Sequence, residues 1–221
     1  MTADAFVRMD RMYRHQRHIY DLTRKYYLFG RDDLIRTLDP PPGARILEIG
    51  CGTGRNLVAL ARRYPDAHLF GLDASGEMLK SAATTVAAAG LEARVRLARG
   101  LAQDFDSQAG FGEPGGFDVV VLSYVLSMIP DWPGAVRRAI ELARPEGLVA
   151  VVDFDDQRGW PGWFRKGLQA WLARFHVTPQ PEAVGHFAAL AEAGLGHLRI
   201  DRVLGGYAYR LRFRTAPLTG T

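Results

Sequence analysis

The densest chemical signal in the sequence is Glu48-Ile49-Gly50-Cys51-Gly52-Thr53-Gly54. Alternating glycines let a backbone turn sharply and approach a ligand closely, because no Cβ intervenes. A dinucleotide fingerprint needs G-x-G-x-x-G. Here the spacing is G-x-G-x-G, and Arg55 stands where the third glycine would fall. The Gly-Lys-Ser/Thr ending of a phosphate-cradling loop is also missing. A dehydrogenase or a P-loop nucleotidase is therefore disfavoured. Downstream, Asp73 closes the second predicted strand, where a carboxylate can accept both hydroxyl protons of a ribose. The competing role for Asp73 is a helix N-cap, which Ser75 could also fill.

Strand and helix signals alternate around these residues. Short apolar runs at Arg45–Ile49, His68–Leu72, Arg94–Arg99, Phe117–Ser123 and Leu148–Phe154 read as strands. Helical spacing fills Asn56–Tyr64, Glu77–Ala89 and Gly134–Ala143 between them. This alternation predicts an α/β fold with a doubly wound, mostly parallel sheet. In such sheets ligands bind beyond the carboxyl ends of the strands, where the glycine loop falls. Leu198–Leu204 and Tyr207–Arg214, joined by Gly205-Gly206, read as a closing antiparallel hairpin. The sheet is thus expected to be seven-stranded. Pro40-Pro41-Pro42-Gly43 separates a helical N-terminal arm, residues 1–39, from a sheet domain, residues 40–221. A Trp-rich helical insertion is expected near 157–180.

The 221 residues suffice for one such domain with a full core. A net charge of +4 suits an acidic partner without naming one. The single cysteine, Cys51, excludes an intrachain disulfide and a cysteine zinc cluster. The scattered histidines lack the carboxylate spacing of a metal site, so none is expected. Neither a signal peptide nor an apolar run of about 18 residues is evident. A cytoplasmic location is the default.

Arg45–Gly54, Gly71–Leu79, Phe117–Ile129 and Ala143–Phe154 resemble the successive motifs of class I S-adenosylmethionine (SAM) dependent methyltransferases. That resemblance implies a Rossmann-like fold, SAM as cofactor and S-adenosylhomocysteine as product. It implies that Glu48, Gly50, Gly52 and Gly54 line the amino acid part of SAM, with Cys51, Thr53 and Asn56 also among the cofactor-binding residues. Asp73 and Ala74 would hold the ribose, and Met78 would pack on the adenine, although its spacing equally suits core. Leu101, Ala102 and Gln103 would border the adenine edge. Many family members carry an acid where Leu101 stands, so Gln103 or backbone groups must serve here. Tyr20 would cover the cofactor. Ser123 and Tyr124 would face the methyl donor, and Tyr124 and Tyr26 are the catalytic candidates.

Two flanking segments, Met12–Arg31 and Asp153–Leu168 continuing to Trp171, Phe175 and His176, resemble bacterial betaine-lipid N-methyltransferases. That implies trimethylation of the amine of diacylglycerylhomoserine, at the inner face of the membrane. The enzyme that makes the homoserine lipid would be a further partner. Phe164, Leu168, Trp171, Leu172 and Phe175 fall on one helical face, bordered by Arg165, Lys166 and Arg174. An aromatic stripe with basic borders suits an anionic bilayer. The same spacing also describes a helix packed on the sheet. Arg8, Arg11, Arg14 and Arg17 form a basic ridge suited to headgroups or simply to solvent. Aromatic faces hold quaternary ammonium groups, so Tyr13, Tyr20, one of Tyr26 and Tyr27, and Tyr124 are candidates for a cage. His15, His18 and His176 could titrate near neutrality, but none is assigned as a general base.

Other acceptors are open: phosphatidylethanolamine or a small-molecule amine. A non-catalytic SAM- or RNA-binding module is the alternative of another class. Leu122-Ser123-Tyr124-Val125 lacks the Asn/Asp-Pro-Pro-Tyr/Phe motif of base methylation, so no nucleic acid partner is expected.

Overall fold

A computed structural model describes residues 28–217, apart from residues 113, 115 and 176. Its centre is a seven-stranded sheet in the order β3-β2-β1-β4-β5-β7-β6. The strands are β1 (Arg45–Ile49), β2 (His68–Asp73), β3 (Val95–Arg99), β4 (Phe117–Ser123), β5 (Ala143–Phe154), β6 (Gly196–Val203) and β7 (Ala208–Thr215). β7 runs antiparallel to both β5 and β6, and the other pairings are parallel. The winding reverses between β1 and β4, which opens a crevice at their carboxyl ends.

The helices are α1 (Arg31–Arg36), α2 (Arg55–Arg63), α3 (Gly76–Ala88), α4 (Ser107–Phe111), α5 (Trp132–Leu142), α6 (Gly162–Ala173) and α7 (Glu182–Glu192). One sheet face buries Ile46, Val121 and Val152 under Leu34 of α1, Leu57 of α2 and Leu172 of α6. The other buries Leu47, Leu122 and Val151 under Val136 of α5 and Phe187 of α7. Because β1, β4 and β5 are covered on both faces, they read as unbroken apolar runs.

The structure differs from the sequence reading in particular places. α5 starts at Trp132, because the Asp131 carboxylate accepts from Gly134 N–H and caps it. β5 starts at Ala143, since Phe117 pairs with Ala143 before a register shift realigns Val119 with Leu148. α7 had no counterpart in the sequence reading. Within the expected arm, Leu34, Ile35 and Leu38 belong to the central core, so residues 31–38 are part of the sheet domain's packing. The stripe on α6 also faces inward: Leu172 is fully buried, and Leu168, Trp171 and Phe175 pack against the core. The exposed tryptophan is Trp163, off that stripe, at 77% exposure.

Candidate active site

The crevice is built from the glycine loop outward. Gly50 and Cys51 N–H both donate to the Leu72 carbonyl, at 2.7 and 3.0 Å, which pins the loop to β2. Gly50 has φ +73°, and a Cβ there would lie 2.3 Å from Cγ2 of Val125. Gly54, at φ +78°, starts α2 and would meet Ala82 at 3.2 Å. Both positions therefore require glycine for conformation and for space.

Charge gathers around the loop. Glu48 is buried at the end of β1 and accepts from Asn56 Nδ2 at 2.7 Å. Asp73 closes β2, accepting from Gly52 N–H at 2.8 Å and Ser75 N–H at 2.9 Å. Ser75 itself caps α3 by accepting from Met78 N–H. The cap is thus filled by Ser75, and the Asp73 carboxylate bridges the loop and the start of α3. Burial pushes the Cys51 thiol well up, and Asp73 and Glu48 push it further. Cys51 is a neutral wall group, in a field that favours positive charge.

Of these, Glu48, Cys51, Gly52 and Asn56 line a recess of about 450 Å³, including space open to solvent, together with Leu28, Arg31, Gly50, Thr53, Arg55 and Ser123, while Asp73 stands behind Gly52. Arg31 was not singled out by sequence reasoning. Its side chain is 7% exposed, and its ion-pair partner among the described residues, Asp32, is 79% exposed. The signal available was Gly30, a left-handed N-cap that starts α1 and delivers Arg31 in the first turn. Ser123 Oγ is buried and has no hydrogen-bond partner among the described residues.

The remaining predicted residues separate into groups. Ala74 and Met78 lie at the end of β2 and the first turn of α3, Met78 being buried. Leu101, Ala102 and Gln103 follow β3 in a 3-10 turn, alongside the Asp73 carbonyl that accepts from Gly100 N–H. Tyr124 is 2% exposed, has φ +54°, and donates its hydroxyl to the Phe29 carbonyl at 2.6 Å. Its hydroxyl thus braces the segment carrying Leu28 and Arg31. Tyr13, Tyr20, Tyr26, Tyr27, His15, His18, His176 and the arginine ridge lie outside the described residues. Among the described residues no group of His, Cys, Asp and Glu could hold a metal ion.

Residues 47–149 match the methyltransferase domain family. Over that stretch the chain is similar to methyltransferase domains, and its fold is one that solved methyltransferases share. The domain is 33% identical over 155 residues to nocamycin O-methyltransferase of Saccharothrix syringae, covering 69% of this chain and 53% of that protein. It is 33% identical over 119 residues to trans-aconitate 2-methyltransferase of Deinococcus radiodurans, covering 54% and 41%. The chain spans about half the length of the curated relatives it matches. An O-methyltransferase family protein from Burkholderia thailandensis superposes with TM-score 0.71 over 94% of this chain and 62% of that one. At 18% identity that likeness is one of fold.

The similarity to methyltransferases implies SAM as cofactor, and the recess suits it. A zwitterionic amino acid end needs a cation and a carboxylate, which Arg31 and Glu48 provide. The buried Ser123 hydroxyl offers a further polar contact. The negative field that raises Cys51 suits a sulfonium. Gly50 leaves backbone, not side chain, at the wall.

Proposed function

We propose that this protein methylates the amine of an amphiphilic lipid, with diacylglycerylhomoserine as acceptor and its trimethylated betaine as product. The observation supporting a lipid acceptor is an apolar rim continuous with the site. Phe29, Trp163 and Leu204 are 43%, 77% and 51% exposed. Ring contacts join this rim to the site: Tyr124 to Phe154 at 4.7 Å, Phe154 to Tyr207 at 5.8 Å, and Tyr207 to Phe29 at 5.1 Å and to Trp160 at 6.4 Å. Trp160 stacks on Phe164 at 4.5 Å, which meets Trp163 at 6.0 Å, and Trp160 Nε1 holds the Leu204 carbonyl at 2.7 Å. Arg158 and Arg202, 85% and 64% exposed, flank this wall. Exposed aromatics beside cations suit an anionic bilayer surface. Among the described residues no helix is long and apolar enough to cross a membrane.

Bound SAM supplies an electrophilic methyl group. In this reading Arg31 and Glu48 hold its two charged ends, and Asp73 holds the ribose. Leu28, braced by Tyr124 through Phe29, lines the recess on the side of the acceptor wall. Fixing donor and acceptor in line supplies much of the acceleration of a methyl transfer.

A second reading is O-methylation of a soluble small molecule, favoured by the name of the nocamycin relative. Labelled SAM offered with diacylglycerylhomoserine vesicles, phosphatidylethanolamine vesicles and soluble acceptors in parallel separates the two. Transfer to the homoserine lipid is the expected result; label confined to soluble hydroxyl acceptors overturns the lipid reading.

A further inference from the structure

Opposite the recess, on the sheet face covered by α5 and α7, β5 carries a buried carboxylate that the proposed chemistry does not use. Asp153 is fully buried. Its Oδ2 accepts from Ser127 N–H at 3.1 Å, and its Oδ1 accepts from Phe154 N–H at 2.8 Å. Ser127 lies in the 3-10 turn Leu126–Met128 that follows β4. The same turn is held from below by Thr178 N–H, which donates to the Ser127 carbonyl at 2.8 Å. One residue before the turn stands Val125, the side chain that fills the space a Gly50 Cβ would need.

We propose that Asp153 is a positioning residue: its carboxylate clasps the turn after β4 and so keeps Val125 seated against Gly50 of the cofactor loop. This rests on the reading of that loop as the SAM site. A charged acceptor makes a stronger bond to a backbone N–H than a neutral one. A neutral group at 153 therefore loosens the turn, and the loop loses its backing. The surroundings allow the group to change charge. Burial raises its carboxyl to about 6, against the opposing effect of Ser127 and the N–H groups of Phe154 and Leu126. The titratable groups facing the cluster among the described residues are Tyr209 of β7, Asp155 just after β5, Glu182 of α7 and Tyr124 after β4. Asp155 is paired with Arg202 at 3.1 Å. Tyr209 is itself raised, first by burial and then by Asp153, so it stays neutral.

The test is calorimetric SAM affinity of the full chain, parent and Asp153→Asn, across about pH 5 to 8. The parent should weaken about tenfold on acidification, the value of one charge-assisted hydrogen bond, with a midpoint near 6. The variant should sit near the parent's acidic plateau at every pH. Because Asp153→Asn alters the core, the parent profile is an independent arm: a flat profile overturns the proposal even if the variant does not fold. A parent that binds no SAM overturns the cofactor reading and this inference together. A parent that binds SAM beside a variant of equal affinity and equal pH profile overturns this inference alone.

Discussion

At the scale of single residues, Arg31 is the most informative side chain of the recess. A nearly buried guanidinium paired with one exposed aspartate needs further acceptors. Replacing Arg31 with Ala should weaken SAM binding about ten- to hundredfold, and Arg31→Lys should recover part of it, since a point charge replaces a planar fork. Titration calorimetry measures both, and unchanged affinity in Arg31→Ala removes the carboxylate role. Gly50→Ala should abolish binding by driving a methyl group into Val125, and Val125→Ala should restore part of it. Independent, additive effects of the two changes would show that the contact does not matter. Cys51, buried and raised in pKa, should resist alkylation in the native protein and react readily in urea.

Among the elements, α6 separates packing from surface contact. Trp171→Ala should cost about 2 kcal/mol of stability, because its ring packs against the core. Trp163→Ala should change stability by no more than about 0.5 kcal/mol. It should nevertheless lower turnover of vesicle-borne acceptor, with soluble acceptor unaffected. Equal turnover on vesicles would remove the rim from the acceptor path. The sequence could not separate these two tryptophans. Periodicity says which residues share a helix face, not what covers it, and a membrane stripe and a core stripe have one pattern. Arg31 was illegible for a related reason. The helix that carries it packs on α2 and β5, which lie far along the chain. The glycine loop and the β1, β2 and β4 strands were legible because local constraints, missing Cβ atoms and unbroken apolar runs, determine them. α7 begins after Pro181 with no side-chain cap and an alanine-rich face, leaving little to mark its start.

For the molecule as a whole, Asp153 ties stability to pH. An acid raised from 3.8 to about 6 on folding favours the folded state while protonated. That contribution is full below 3.8 and is lost as the pH climbs through about 6. Asp153→Asn, which cannot ionise, should therefore gain stability relative to the parent as the pH rises from about 4 to 7, by on the order of 3 kcal/mol. Thermal melts of both proteins across that range measure the gain; parallel curves would show that Asp153 does not titrate there. The overall winding was readable from the alternation of strands and helices, and the terminal hairpin from Gly205-Gly206, both of which take positive φ. The position of that hairpin in the sheet was not, because partner choice among strands is a long-range matter.

That position bears on how the chain is made. β7 follows β6 in the chain, yet it lies between β5 and β6 in the sheet. During translation β5 keeps one row of amides and carbonyls unpaired, and β6 has no sheet to join, until Ala208–Thr215 has emerged. An open central strand is a template for pairing with other chains. Until that segment pairs, the central part of this sheet thus keeps its stickiest edge exposed.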